Sequence, residues 1–468
     1  MANHITQKTF DDVVRENIAD FEMDPQEAID DAVKQFEAQG VNLANIVKDG
    51  KTYNTSGNEG DTKQPVIVAV ENLAAVVDSD SIDSEEFHTC CETLKSECKV
   101  SLAHRCLAGS SNAYPLIIRA YEKFRSMPDV LLQVVDLLCA LCDGQPDVLD
   151  DKGIELFLYT LGEYSDNAAL VARTVKLICL TCVMHEKNRQ NYVKNDLILK
   201  LITALEMHRH DTQVVKEVCR ALRVLTLDDD IRVPFGNAHQ HAVAIVTHAN
   251  ALQKILNICA DYADNLEVLA VLFQTLGQLS VRNEFCQEIM DHGGLHLILN
   301  ALANNMDHQE LTKQILYVVK AVSGNDRVKV AIAKLGGLQQ ILLVMSRHLV
   351  DPAIIEMGCA AVGVVVLRQP EHCKIVMTNQ AAEVIVKGML LHRSVPGVQM
   401  QACIAIRNLV ARNQEYCTSF IEAGAEKGIR HAMKNKSCGD VAKAALRDLG
   451  CKVHLKELWK GEGKDLSR

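Results

Sequence analysis

Two pairs of cysteines have the spacing that metal-binding and redox sites use. Cys139 and Cys142 form one pair, Cys179 and Cys182 the other, and two residues separate the thiols of each pair. Such pairs can supply the thiolates of a zinc site or cycle between dithiol and disulfide. Here the separation of the pairs does not suit a zinc ribbon, and both lie in apolar helical patterns, LLCALC and LICLTC. We interpret the thiols as core residues, and keep a metal or redox protein as the alternative.

A second candidate is a group of histidines, His239, His241 and His248, close to three consecutive aspartates at 228–230. Imidazole and carboxylate groups bind metals, but His-x-His is a weak signal and a solvated loop explains it. The chain has no glycine-rich phosphate loop, dinucleotide-binding fingerprint, HExxH pattern or GxSxG elbow. We therefore predict a protein that is not an enzyme and that needs no cofactor or metal.

The composition favours packed helices. A chain of 468 residues is too long for one compact core, so it must divide or repeat. Hydrophobic residues make up 48% and aromatics only 4%, which suits helices better than a β-sandwich. The 17 cysteines are an odd number in mostly apolar surroundings, which predicts reduced thiols in a cytosolic or nuclear protein. The sequence has no signal-like start and no run of 18 uncharged apolar residues, so we expect no membrane span.

One phrase recurs along the chain and sets its architecture. Residues 289–302 read IMDHGGLHLILNAL and residues 332–345 read IAKLGGLQQILLVM. Weaker copies place repeat anchors near residues 148, 192, 246, 289, 332, 376 and 420, with spacings of 44, 54, 43, 43, 44 and 44. A helical period in the low forties predicts stacked repeats, because one such unit cannot cover its own apolar face.

Each unit has a short helix, a glycine or polar turn, a second helix of about ten residues and a third helix. This layout resembles the armadillo repeat, and QACIAIRNLVARNQEYCTSFIEAGA at 401–425 matches that pattern best. The resemblance implies an all-α, right-handed armadillo/HEAT-type α-solenoid of about eight or nine three-helix repeats. With the N-terminal TFDDVVRENIADFEMDP and FEAQGVNLANIVK it extends to one armadillo subfamily over nearly all residues.

Outside the repeats we predict three features. Residues 1–48 form an acidic segment with two amphipathic helices, at 9–21 and 25–39, and residues 49–64 a flexible linker. The repeat array then covers 65–468. The long 54-residue spacing places an insertion at 228–240, DDDIRVPFGNAHQ, which we interpret as a tolerated surface loop, with a contact loop at the rim of the repeats as the alternative.

Third helices line the partner groove of armadillo proteins. In the importin alpha adaptors, successive third helices carry an Asn that clamps peptide backbone and a Trp, one turn earlier, that packs Lys or Arg stems. In this chain Asn408 alone matches the Asn column, and the single Trp, Trp459, falls in what we predict to be a terminal helix. A nuclear-transport-type adaptor is therefore an alternative that the sequence disfavours.

Equivalent positions of successive third helices form columns along the predicted groove, and in this chain these columns are basic. They contain eight cations and one acid, Asp228. The predicted partner-binding residues are Lys176, Arg220, Arg223, Gln278, Arg282, Tyr317, Lys320, Arg368, Arg407, Asn408 and Arg412. Either these cations bind an acidic or phosphorylated partner segment, or they lie over apolar helix surface and pair with local acids.

Charge is divided unevenly between the two parts of the chain. Residues 1–99 hold 21 acidic and 8 basic side chains, whereas the remainder holds 39 acidic and 41 basic ones. The acidic N-terminal segment could therefore dock in the basic groove of its own chain at high effective concentration. With a nearly neutral body and few aromatics, nucleic acid is not an expected ligand. We predict a non-catalytic scaffold or adaptor for protein partners.

Overall fold

The structure is a computed structural model that describes residues 4–49, 53, 63–79 and 84–453. These residues form 27 α-helices and two short 3-10 turns, and the described part of the chain contains no β-strand.

The chain divides into two compact units, residues 1–249 (unit 1) and residues 250–468 (unit 2). The helices of unit 1 are α1 Gln7–Phe21, α2 Pro25–Ala38, α3 Pro65–Val77, α4 Ser84–Val100, α5 Leu102–Ser110, α6 Ala113–Phe124, α7 Pro128–Cys142, α8 Asp151–Glu163, α9 Ala168–Cys182, α10 Glu186–Lys194, α11 Leu197–Met207, α12 Thr212–Val224 and α13 Ala238–Ala249. The helices of unit 2 are α14 Ala251–Asp261, α15 Leu266–Leu279, α16 Asn283–Asp291, α17 Gly294–Asn304, α18 Gln309–Val322, α19 Asp326–Lys334, α20 Gly337–Arg347, α21 Pro352–Val366, α22 Pro370–Thr378, α23 Ala381–Leu391, α24 Pro396–Val410, α25 Cys417–Glu422, α26 Ala425–Ala432 and α27 Gly439–Asp448.

The first two helices form a helical pair with a core of its own. Asp24 caps α2 by accepting hydrogen bonds from two backbone N–H groups of its first turn, and proline occupies the first helical position. The rings of Phe10 and Phe36 pack across the pair with centroids 6.1 Å apart. Tyr53 is also buried in this core, and its hydroxyl donates a 2.6 Å hydrogen bond to Asp11. Burial of both apolar faces explains why such short helices are ordered.

The predicted linker at 49–64 lies mostly outside the described residues, apart from Asp49, Tyr53 and the last two positions. The division into an N-terminal segment, a linker and a repeat array therefore stays a prediction. The repeat region begins with the helix pair α3 and α4, which precedes the first three-helix repeat, α5 to α7.

Two repeats have a shortened first helix. Only eight residues, 143–150, separate α7 from α8, and they contain a single 3-10 turn, Pro146–Val148. That span is too short for a two-turn helix with a turn on either side. In the last repeat a 3-10 turn, Gln414–Tyr416, precedes the six-residue α25.

The glycine pair in the recurring phrase has two separate structural roles. The residue between first and second helices has a positive φ in most repeats, and the residues concerned are Asn112, Asp196, Asn250, Gly293, Gly336, Gln380 and Gly424. The following glycine, Gly294 or Gly337, lies close to neighbouring atoms: a Cβ on Gly294 would lie 2.8 Å from both Ile289 O and Leu256 Cδ2. The first glycine thus provides a left-handed turn and the second permits a close approach.

Exchanging residues at the left-handed position should change stability in opposite directions. Gly336 and Gln380 have φ values of 76° and 62°, and a Cβ on Gly336 would meet no atom within 4 Å. We expect Gly336→Ala to destabilise unit 2 by about 1–2 kcal/mol through backbone strain alone. Gln380→Gly should stabilise it by about 0.5–1 kcal/mol. Urea unfolding of the full chain measures both, and shifts of the same sign would contradict the turn assignment.

Third helices stack side by side within each unit. In unit 1, α4 of the initial helix pair is followed in the stack by the third helices α7, α9 and α12, and in unit 2 the order is α15, α18, α21, α24 and α27. Helices α21 and α24 approach each other closely at Gly363, where an added Cβ would lie 3.4 Å from Ala405 Cα. The predicted all-α fold of stacked three-helix repeats is thereby confirmed.

Candidate partner-binding faces of the third helices

Unit 1 carries three of the predicted partner-binding residues. Lys176 lies on α9, and Arg220 and Arg223 lie on α12; all three are partly exposed. Arg220 Nη1 is 3.7 Å from a carboxylate oxygen of Glu217, and Arg223 also interacts with a neighbouring group. Lys176 makes no ion pair within 4 Å with any residue that the structure describes.

Two carboxylates share this face with the cations. Asp136 on α7 accepts a 2.8 Å bond from Arg173 Nε, and Glu217 on α12 accepts from Gln213 as well as facing Arg220. The sequence columns did not include either acid. Local pairing, which the sequence left open, therefore applies to Arg220 but not to Lys176 among the described residues.

A cavity of about 450 Å³ opens on the same face of unit 1. Residues of α4, α5, α7 and α9 line it, and five of its side chains are basic against two that are acidic. The basic residues are Lys95, Lys99, Arg105, Arg173 and Lys176, and the acids are Asp136 and Asp143. The cavity therefore carries a net positive charge.

Three of these cations precede the first sequence anchor, near residue 148, so the column alignment missed them. Lys95 pairs with Glu92 on its own helix, whereas Lys99 has no ion pair within 4 Å among the described residues. Arg105 donates from Nη1 to Cys98 O at 3.1 Å, which fixes its guanidinium. Its Nε is buried and has no hydrogen-bond partner in the described part of the chain. Clustered Lys and Arg at 95, 99 and 105 are the only signal the sequence offered.

In unit 2, four predicted residues contact neighbouring helices. Tyr317 donates to Gln278 at 3.0 Å and packs its ring where Gly277 has no side chain. Arg407 Nε donates to Asp448 at 2.8 Å. Asn408, the residue that matched the importin column, donates to Gly363 O at 2.9 Å and so binds the adjacent helix α21.

The other four predicted residues of unit 2 are Arg282, Lys320, Arg368 and Arg412. Arg282 is engaged locally, 3.7 Å from Glu284 and above the ring of Phe285. Lys320, Arg368 and Arg412 make no ion pair within 4 Å with described residues, and Arg368 and Arg412 are exposed. Among the predicted residues of unit 2, these three cations remain available to a ligand. Lys320 lies on the third helix α18, whereas Arg368 and Arg412 follow the last residues of α21 and α24.

The cysteine pairs lie in the helical core. Cys139 and Cys142 are buried on α7, and Cys179 and Cys182 are buried on α9. Burial raises the pKa of the Cys139 and Cys179 thiols to about 12 and raises the pKa of the Cys142 and Cys182 thiols well above the usual range. A protonated thiol is a poor nucleophile and metal ligand. Within the described residues, no group of three or more His, Cys, Asp or Glu side chains is arranged to hold a metal.

The predicted insertion is a well-held loop between α12 and α13. Arg189 is fully buried and binds the carboxylates of Glu186 and Asp229. Arg232 binds Asp230 and Asp147, each at 2.8 Å. We call these six residues the loop clamp. The histidines beside it do not converge on a site; for example, His241 is buried and its Nδ1 contacts Leu225 O.

The clamp also shifts the acidity of its carboxyl groups. The hydrogen bond from Arg232 holds the pKa of Asp230 well below its usual range. Burial alone would raise the pKa of Glu186, but hydrogen bonds from Asn237 N, Gln190 and Arg189 outweigh it, so the pKa is lowered. Both groups are therefore ionised at neutral pH. Ile231 and Phe235 lie in the same loop, between residues that these bonds hold in place, and their side chains are 93% and 92% exposed.

In the part of the chain that the structure describes, no single helix is long and apolar enough to cross a membrane. The pair Asp326–Lys334 and Gly337–Arg347, bent by 72° at its break, passes that test together by length and composition.

Comparison with known proteins relates the whole chain to one family. The ARMC6 family model matches residues 67–467, and the model of the armadillo repeat-containing protein 6 N-terminal domain matches residues 2–64. Armadillo repeat-containing protein 6 from Homo sapiens is 41% identical over all of this chain and 95% of its own length. The homolog from Drosophila melanogaster is 37% identical over 98% of each chain. The subfamily resemblance inferred from the N-terminal segment and the repeats is confirmed.

Solved structures agree on the fold. A crystal structure of an engineered protein is similar with a TM-score of 0.65 and 16% identity, over 94% of this chain and 98% of that one. A second structure concerns a phosphorylation switch that controls the interaction between cadherin and beta-catenin. It has a TM-score of 0.55 and 15% identity, over 81% of this chain and 68% of that chain. At such low identities the likeness concerns the fold alone.

Proposed function

Because the chain belongs to the armadillo repeat-containing protein 6 family, we propose that it is a non-catalytic scaffold that holds acidic segments of partner proteins on its third helices. The fold supports this proposal, since armadillo repeats typically bind proteins along these helices. It would act in the cytosol or the nucleus, as its reduced cysteines suggest.

One observation carries the choice of an acidic ligand. The carboxylates Asp136, Glu217 and Asp448 already face arginines of neighbouring or the same helices. In the cavity of unit 1 and at the predicted groove positions, the cations without an ion pair within 4 Å among the described residues include Lys99, Lys176, Lys320, Arg368 and Arg412. Desolvating a cation without a partner is unfavourable, so an incoming carboxylate or phosphate is the ligand that offsets that penalty.

Reversing these charges in one unit at a time tests the proposal. We expect Lys99→Glu/Lys176→Glu to weaken an acidic partner at least about tenfold, or 1.4 kcal/mol, because attraction becomes repulsion. The matched control is Lys187→Glu/Lys194→Glu, which makes the same charge change at exposed positions of α10. Partners are captured from extract, purified, and titrated at two salt concentrations.

For unit 2 the corresponding variant is Lys320→Glu/Arg412→Glu. Arg407 is a poor choice because Arg407→Glu would place a second carboxylate beside Asp448 and disturb the packing of α24 on α27. If both unit variants bind every captured partner as the wild type does, the third helices are not the binding face. Capture of a basic nuclear-import peptide would instead support the transport-adaptor alternative, although Asn408 already binds Gly363.

The acidic N-terminal segment is proposed to regulate access to these faces within the same chain. In the structure Asp11 and Arg15 share a cavity with Ile67 of α3 and with Cys106 and Ser110 of α5. A tethered segment competes at an effective concentration on the order of millimolar. Deleting residues 1–64 should therefore tighten partner binding several-fold, and an unchanged dissociation constant would leave the segment without a competing role.

The 228–240 insertion is proposed as a second contact for the same partners. Its support is that the loop clamp holds two large apolar side chains of one loop, Ile231 and Phe235, almost fully exposed, and clustered exposed apolar residues mark interaction sites. Ile231→Ser/Phe235→Ser should reduce partner binding without loss of stability. Val350→Ser, at a 77% exposed position of unit 2, is the control. If the loop variant binds partners as tightly as the Val350→Ser control, the loop is a tolerated insertion and not a partner contact.

A further inference from the structure

We infer that the cavity of unit 1 is an anchoring site for one phosphoryl group on an extended protein segment, with Arg105 binding the phosphoryl group and Lys99 and Lys176 flanking it on α4 and α9. This inference rests on the proposed function and specifies it, because it names both the place and the chemical group that would be recognised.

Arg105 is the strongest reason for a phosphoryl ligand. Arg105 lines the cavity, and the hydrogen bond from its Nη1 to Cys98 O orients the guanidinium before any ligand arrives. Its Nε is buried and unpartnered among the described residues, which is unfavourable for a charged donor, so a ligand in the cavity would bond the terminal Nη groups and neutralise the guanidinium from there. A phosphate offers three acceptor oxygens and close to two negative charges, and the planar guanidinium matches it in geometry.

The flanking lysines indicate an extended chain rather than a small free anion. Lys99 lies on α4 and Lys176 on α9, with α7 between them. Packed helices are about 8–10 Å apart, so the outer two axes are separated by roughly 16–20 Å. An extended segment of about six residues spans that distance. Acidic residues before and after the phosphorylated position would then face the two lysines.

The acids of the cavity disfavour a membrane surface or a nucleic acid. Asp143 is exposed at the cavity, and Asp136 remains beside Arg173. A bilayer or a polynucleotide presents many phosphates at once, and some would lie against these carboxylates. A single phosphoryl group can bind Arg105 while backbone N–H groups of the same segment donate to Asp143. The mixed charge pattern therefore fits a phosphorylated protein segment best.

The test compares two labelled peptides on the full chain. Each has about eight residues of Gly, Ser and Glu, to span the cavity, and they differ only in one central phosphoserine. Fluorescence anisotropy gives their dissociation constants. We expect the phosphorylated peptide to bind at least about tenfold more tightly, since charge-assisted bonds to arginine are strong. Lys99→Gln/Lys176→Gln should weaken both peptides, whereas Arg105→Gln should remove most of the preference for phosphate. Lys187→Gln/Lys194→Gln is the control for charge.

The outcomes separate this inference from the proposed function. Equal, salt-sensitive binding of both peptides that depends on Lys99 and Lys176 would overturn the phosphoryl site and keep the acidic-segment function. If neither peptide binds at millimolar concentration, the phosphoryl site is overturned, and charge reversal with captured partners decides the wider proposal. Vesicles containing phosphatidylserine, or an RNA oligonucleotide, that bind in an Arg105-dependent way and displace the phosphopeptide would assign the site to those ligands instead. Should Arg105→Gln unfold, Arg105→Lys retains the charge without the fork and must still lose the phosphate preference.

Discussion

Arg189→Met is expected to lower the free energy of unfolding of unit 1 by about 3–5 kcal/mol, because it removes one partner of a buried ion-pair network. The arginine side chain is fully buried between Glu186 and Asp229, and Glu186 is itself 2% exposed. Met fills a similar volume but leaves both carboxylates without the cation that pairs with them. Urea unfolding followed by helical circular dichroism measures the change in stability.

Two further variants identify the cause. Arg232→Met removes the other arginine of the loop clamp, but this side chain is 45% exposed, so water can replace it and a loss of about 1 kcal/mol or less is expected. The triple variant Glu186→Gln/Arg189→Met/Asp229→Asn removes the stranded charges together with the arginine and should regain at least half of the lost stability. A triple variant as unstable as Arg189→Met would show that lost packing, not the unpaired charge, is responsible.

The same contacts explain why the insertion holds a defined shape. Glu186 N donates to Asp230, and Glu186 accepts from Asn237 N, so the start of α10 is joined to both ends of the loop. Arg189→Met should therefore increase hydrogen exchange across residues 225–237 before the rest of unit 1 unfolds. This coupling links the internal stability of the repeat to the exposure of Ile231 and Phe235.

The repeat architecture could be predicted because each element has a local cause. The apolar period sets the helices, and capping residues such as Asp24 and prolines such as Pro25 mark where they begin. The first helix expected at the anchor near 148 is the exception. Its first-helix pattern was inferred by alignment with longer repeats, whereas the number of residues between α7 and α8 decides what can form.

The candidate site could be predicted only in part, because pairing between side chains depends on contacts between helices far apart in sequence. Arg407 and Asp448 are 41 residues apart, and Arg173 and Asp136 are 37 apart, so no single helical pattern reveals either pair. Arg105 was missed for a related reason. It lies on a first helix whose repeat diverges from the recurring phrase, and its position in the cavity follows from the stacking of α4, α7 and α9.

Gly294→Val should destabilise unit 2 by about 3 kcal/mol or more, since it introduces three carbons where even a Cβ lies 2.8 Å from a backbone oxygen and from Leu256. Leu256 belongs to the second helix of the preceding repeat, α14, so the clash falls on the contact between repeats. Gly294→Ala should cost less, about 1–2 kcal/mol, because alanine stands at the equivalent positions Ala381 and Ala425. Thermal and urea unfolding of the full chain measure both.

The form of the transition distinguishes a weakened contact between repeats from local strain. Solenoids unfold cooperatively because neighbouring repeats stabilise one another, so weakening that coupling lets repeats unfold separately. Gly294→Val is therefore expected to broaden the urea transition of unit 2 and lower its m-value, with α14 and α17 losing amide protection at different concentrations. The control is Gly336→Ala, which strains one backbone position and touches no neighbouring repeat. Its transition should shift without broadening, and equal broadening in both variants would mean that the second glycine does not determine the coupling between repeats.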